Sequence, residues 1–276
     1  MNNSIFVKKM QKALVSWNQC FFYASFNGAL MTHIDCYYKN KQMKRFKREM
    51  LLVINKAIEF IMIYNVNQFN RAYEGIEASY VLRRLEAGTI AANMINKTDS
   101  DLVVATIIQD TLGEREALRI PEDEVSYQVL KQQFNKNIAK LVLALTEDTM
   151  TSWSERKLAK INFLKANKSK DIEIATLAND LSKMREMVRK YKVEKEKFYD
   201  ELGVKKDKRS WEIYSVRELP PDIKETNEYK NLIRLMREMY WYHSLTAKTL
   251  QQVQDTKEYR EYIALIKEFF EEYLGL

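Results

Sequence analysis

The chain predicts an all-α fold. Of its 276 residues only 6 are Gly and 3 are Pro, too few for the tight turns of a β-rich architecture. Its long stretches rich in Lys, Glu, Leu, Ala and Met favour helix, and the 12 Met residues suit helical cores with irregular packing. A hydrophobic share of 46% is enough to bury one sizeable core with appendages.

Three regions are expected: an N-terminal extension over 1–48, a helical domain over 49–200, and C-terminal helices over 201–276 packed on it. In the extension, Phe6, Met10, Leu14 and Trp17 stand at near-helical spacing. Its aromatic content through Cys36 exceeds that of a disordered tail, so docking on the body or on a partner is expected. It ends in the basic run KNKQMKRFKR. MLLVINKAIEFIMIY (50–64) predicts a buried helix, and the stretch around 65–79 a connection. VLRRLEAGTIAANMI (81–95) predicts a helix with Val81, Leu85, Gly88, Ala92 and Ile95 on one face. Asp99 or Ser100 is placed to cap a helix DLVVATIIQDTL (101–112), because a short side-chain oxygen accepts orphan amide hydrogens.

Pro121, followed by acidic residues, marks another helix start. VSYQVLKQQFNKNIAKLVLALTED (125–148) continues the helical series. After TMTSWSE come two long helices, the second with Ile174, Leu177, Ala178, Leu181 and Val188 on a common stripe. Trp153 is expected to pack at a helix start. Pro220 and Pro221 break the chain, and amphipathic helix resumes through Leu276.

Composition narrows the function. The net charge of +7 is spread among Glu and Asp, which favours a solvated helical surface over a polyanion-binding patch. Cys20 and Cys36 are too few for a disulfide framework, and their spacing matches no standard zinc motif. With His33 and His243 the only histidines, a His-rich metal site is excluded; His243, within YWYH, is expected in the core or at its rim. No apolar run is long enough to span a bilayer and no secretory signal core is present, so a cytoplasmic location is expected.

Two stretches carry more specific information: YVLRRLEAGTIAANMINKTDSDLVVATIIQDTLGE (80–114) and WSERKLAKINFLKANKSKDIEIATLANDLSKMREM (153–187). Together they resemble the HD-domain metal-dependent phosphohydrolases, in the branch of the RelA/SpoT-type (p)ppGpp hydrolases. That family shows Y-I-x-H-P-L-x-x-A, then L-H-D-x-x-E-D, then L-A-D-x-L-x-N-M-R. The resemblance covers about 50–190 and continues more weakly to the C-terminus. It implies a helical HD-domain bundle in which His and Asp side chains from separate helices hold a divalent cation. The cation orients and acidifies a water for attack on phosphorus.

Most letters of that ligand set differ here. The family's first histidine corresponds to Arg83 and its following proline to Arg84. The HD pair corresponds to Gln109 and Asp110, and the last ligand to Asn179. A guanidinium offers no lone pair and stays cationic, and an amide oxygen is a weak ligand, so Asp110 alone retains ligand chemistry. It serves either as a residual metal ligand or as a structural carboxylate paired with a cation. The water-positioning carboxylate corresponds to Gly113, beside Glu114. In the last motif Lys183 replaces asparagine while Met184 and Arg185 match. The family's H-x-G-Q-x-R-K corresponds to Asn65, Asn67, Gln68, Asn70 and Arg71.

The candidate ligand-binding residues are therefore Arg71, Arg83, Arg84, Lys183 and Arg185. Lys205, Lys206 and Lys208 belong either to the same mouth or to a solvated loop. Arg83 is expected to compensate Asp110 directly or through Gln109 or Asn179; the alternative is an Arg83 facing solvent. The expected function is a pseudoenzyme with no cofactor that binds a protein partner or a phosphate-containing small molecule. One alternative is a phosphohydrolase with a rewired Mn²⁺ or Mg²⁺ site that uses Asp110 and Glu114. Another is nucleic-acid binding through 39–48.

Overall fold

The computed structural model describes residues 52–61, 77–95, 100–112, 126–147, 151–193 and 221–276. The N-terminal extension, Arg71, Pro121, Glu114 and the run from Lys205 to Lys208 lie outside these residues. Among the described residues the fold is all-α, with no strand.

Helix α1 (52–61) buries Ile54, Ala57, Ile58 and Ile61, an i, i+3, i+4, i+7 stripe. Helix α2 (Glu77–Met94) begins earlier than its apolar pattern suggests. Its buried face is also rotated from the expected one: Val81, Arg84, Leu85, Ala87, Gly88 and Ala91 are buried, whereas Ala92 and Ile95 are half-buried. The apolar letters alone hid this, because the centre of the face is an arginine.

Helix α3 (Ser100–Ile108) is buried at every position from Leu102 to Ile108. Ser100 lies inside the helix rather than capping it, and Asp99 is outside the described residues. The helix stops short of the predicted Leu112. Thr111 donates to the Ile108 carbonyl from its backbone N–H (3.1 Å) and its hydroxyl (2.8 Å), closing a turn over Gln109–Leu112. Where α2 crosses α3, a Cβ on Gly88 would lie 2.6 Å from Ile107 Cγ1, so any larger residue would force Ile107 to shift.

The helical series expected over 125–148 is made of two helices, α4 (Tyr127–Gln133) and α5 (Lys136–Leu145). Asn135 makes the break. Its side-chain oxygen accepts from Ile138 N at 2.9 Å, and its amide donates to Asp101 at 2.9 Å, tying the corner to α3. Helix α6 (Trp153–Asn167) opens with a capping box in which Ser152 and Glu155 satisfy each other's backbone N–H groups.

Helix α7 (Lys170–Val193) is central among the described helices. Every residue from Ile172 to Ser182 is buried, the predicted stripe of Ile174, Leu177, Ala178, Leu181 and Val188 included. Helices α2, α3 and α5 pack around it. Pro221 occupies the first position of the short α8 (Pro221–Lys224), where its missing N–H costs nothing. Helices α9 (Asn227–Thr249) and α10 (Lys257–Ile266) follow, capped by Thr226 and Thr256, and the chain continues into a π-helical turn, Lys267–Tyr273. Helix α10 packs on α7, and α9 on α6. Ile233, Tyr262, Phe269 and Phe270 thereby join the same buried cluster as Leu177 and Leu181.

Candidate functional site

Three elements bring Arg84, Asp110 and Asn179 together. Arg84 is on α2, Asp110 in the turn after α3, and Asn179 at mid-α7. The Arg84 side chain is 1% exposed. Its Nη1 donates to Asn179 Oδ1 at 2.7 Å, and its Nη2 forms an ion pair with Asp110 Oδ2. Asp110 is 34% exposed, so one side of the cluster reaches solvent. A buried guanidinium requires a carboxylate or equivalent acceptors, and both are supplied here.

This corrects the sequence expectation by one residue. Arg83 was expected to compensate Asp110; Arg84 does so. Arg83 forms an ion pair with Glu186 at 3.6 Å, with its side chain 24% exposed. Successive helical residues point about 100° apart, so Arg84 meets Asn179 at mid-α7 and Asp110 after α3, while Arg83 meets Glu186 farther along α7. Gln109 is also buried, at 1%, and its Nε2 has no hydrogen-bond partner among the described residues.

This donor set does not fit a divalent cation. Arg84 brings a fixed positive charge to the carboxylate, and Gln109 and Asn179 offer amides. Among the described residues no group of three or more His, Cys, Asp or Glu is arranged to hold a metal ion.

A second polar cluster adjoins the first through Asn179, whose amide donates to the fully buried Asp180 at 3.2 Å. Asp180 also accepts from Tyr242 OH at 2.7 Å and lies 3.9 Å from Lys183 Nζ. Lys157 donates to both oxygens of Glu147 at 2.6 Å, and Lys160 lies 3.6 Å from the same carboxylate. Lys157 also lies 5.0 Å from the Tyr242 ring centre, while Trp153 meets Tyr242 edge-on, the packing role expected for Trp153. His243 is buried and shares a 2.7 Å hydrogen bond with Tyr262 OH, as a core histidine.

The electrostatics follow from burial set against these lysines. Burial alone would raise the Asp180 and Glu147 carboxyls, but Lys160 and its neighbours outweigh it and hold both at about 2. Burial and the adjacent Lys157 push the Lys183 ammonium well below its usual range. Burial lowers His243 to about 4 against the opposing pull of Asp180.

Arg185 has a different setting from the other candidates. It donates twice to Glu261 of α10 at 2.7 Å and once to Glu86 of α2 at 3.1 Å, clasping both helices to α7. Sequence reasoning missed Glu86, Glu147, Lys157, Lys160, Asp180, Tyr242 and Glu261. The usable signal was Asp180 and Lys157 falling within the recognised motifs; Tyr242 and Glu261 reach the site only through the packing of α9 and α10.

No protein-family model and no curated protein matches the chain. Solved structures resemble it at low identity. One is lmo0812 from Listeria monocytogenes EGD-e, at 17% identity and a TM-score of 0.45, covering 68% of this chain and 98% of that one. Another is a metazoan ortholog of SpoT described as hydrolyzing ppGpp, at 15% identity and a TM-score of 0.49, covering 80% of this chain and 97% of that one.

Proposed function

We propose that this chain is an HD-like pseudoenzyme, a binding module that receives a phosphate-bearing anion without hydrolysing it. The observation that supports this reading is Arg84, whose guanidinium bridges Asp110 and Asn179 where hydrolysis would call for a cation held by lone-pair donors. The surroundings favour an anion. Lys157 and Lys160 share the single carboxylate of Glu147, and Lys183, its side chain 28% exposed, has an ammonium disfavoured by burial and by Lys157 that a bound anion would favour. Pyrophosphate is the simplest probe, since lysines bind phosphate as point charges.

Elemental analysis of the purified protein and a (p)ppGpp hydrolysis assay with added Mn²⁺ test the reading. The expected outcome is no stoichiometric transition metal, negligible turnover, and pyrophosphate binding that weakens with salt and with Lys183→Gln. About one Mn, Fe, Zn or Co per chain, or a Mn²⁺-dependent turnover abolished by Asp110→Ala, would establish a rewired hydrolase instead. The triple change Arg84→His, Gln109→His and Asn179→Asp returns ligand chemistry to the facing positions. Mn²⁺ uptake by that variant is the result expected if the three elements keep their spacing.

A further inference from the structure

A cavity of about 500 Å³ opens between the end of α5, one face of α6 and the first turns of α7. Neither Arg84, Asp110 nor Asn179 lines it. On α6 its wall is Arg156, Ala159, Lys160 and Phe163, the i, i+3, i+4, i+7 face next to the one that carries Lys157. Leu143, Leu164 and Ile172 make much of the rest apolar. Small-molecule sites have this volume and this character, an apolar enclosure with a few convergent polar groups.

Two polar atoms on this wall are buried with no hydrogen-bond partner among the described residues: Arg156 Nε and Thr176 Oγ1. Thr176 is fully buried, and the two residues come from different helices. Leaving such atoms unmatched costs free energy, about 1–3 kcal/mol each. A bound acceptor removes that cost. The carboxylates on the wall are already engaged: Glu147 by Lys157 and Lys160, Glu155 by its cap with Ser152. The end of α5 is covered as well, since Thr146 donates from its hydroxyl to Val142 O and from its N–H to Leu143 O.

We propose that this cavity binds a small apolar carboxylic acid, with Arg156 and Thr176 receiving the carboxylate and the Leu143, Phe163 and Ile172 side enclosing the hydrocarbon. A guanidinium matches a carboxylate in geometry and charge, and the hydroxyl supplies a second donor. The site shares no residue with the Arg84 cluster; Glu147 and Lys160, which belong to the anion surroundings proposed above, also stand on its wall, paired with each other.

Calorimetric titration of the full chain with octanoate, octanol and octyl phosphate tests it. Octanoate is expected to saturate at one per chain and to bind more tightly than either analogue. Arg156→Gln should weaken it by roughly tenfold and Thr176→Val by roughly threefold. Ala159→Phe, which fills the cavity, should abolish binding. Circular dichroism and a thermal melt establish that each variant is folded, and Thr176→Val, which keeps the shape of the side chain, serves if Arg156→Gln does not fold. Absence of saturable octanoate binding overturns the proposal. So does binding that survives all three substitutions in folded proteins, which would place it elsewhere, or tighter binding of octyl phosphate, which would refute the carboxylate assignment.

Discussion

Arg84 and Arg83 are adjacent, chemically identical and energetically unlike. The first is 1% exposed and bonded to Asp110 and Asn179; the second is 24% exposed and paired with Glu186 at 3.6 Å. Arg84→Ala removes the partner of a carboxylate and leaves Asn179 without its donor. A loss of about 3 kcal/mol is expected for removing one partner of a buried pair. Arg83→Ala breaks a partly solvated pair and should cost about 1 kcal/mol or less. Urea unfolding of the two alanine variants measures the difference; equal losses would contradict the assignment of Arg84 to the site. Asp110→Asn should resemble Arg84→Ala in cost, because it strands a buried guanidinium.

At the scale of elements, the α2–α3 crossing depends on Gly88. Alanine is the better helix former by about 1 kcal/mol, which alone predicts a stabilising substitution. Here the added methyl meets Ile107 Cγ1 at 2.6 Å and Cδ1 at 2.9 Å, and Ile107 is itself fully buried, so a packed side chain must shift. Overpacking of this kind costs about 1–3 kcal/mol, so Gly88→Ala should be destabilising in net. Because α2 carries Arg84 and α3 leads into Asp110, forcing these helices apart should also loosen the site. The denaturation midpoint of Gly88→Ala is the measurement, and a rise in it would show that Ile107 repacks freely.

Across the whole molecule, α7 draws charged groups from several helices into one interior, and that makes stability depend on pH. His243 is held at about 4 in the folded chain against an ordinary 6.5, so its stabilising contribution is complete above pH 6.5 and drains as pH falls toward 4. Glu147 and Asp180, both at about 2, contribute fully above pH 4.5 and lose their share as pH falls toward 2. Between pH 6.5 and 4.5 His243 is therefore the principal cause of the loss among these three groups. Urea midpoints across that range should fall, with about 3 kcal/mol lost in all once His243 is fully protonated. His243→Gln, which retains a hydrogen-bonding partner for Tyr262, should flatten the curve between pH 6.5 and 4.5; an unchanged slope would remove His243 as its cause.

The sequence by itself determined the all-α class, the long α7 with its buried stripe, the helix start at Trp153, the break at Pro221 and the core position of His243. Each of these is local: a shortage of turn residues, a period of 3.6, a cap, or a proline without its N–H. It also singled out Asp110 and Asn179 together from the spacing of the two stretches, and in the fold both contact Arg84. Tertiary structure decided which arginine enters that site. Arg83 and Arg84 have the same propensity, charge and size, and only the rotation of α2 against α7 distinguishes them. The same holds for Asn135, whose cap splits a periodic stretch because Asp101 lies across from it, and for Tyr242 and Glu261. Those two residues meet α7 through the packing of α9 and α10, a long-range placement that no local pattern encodes.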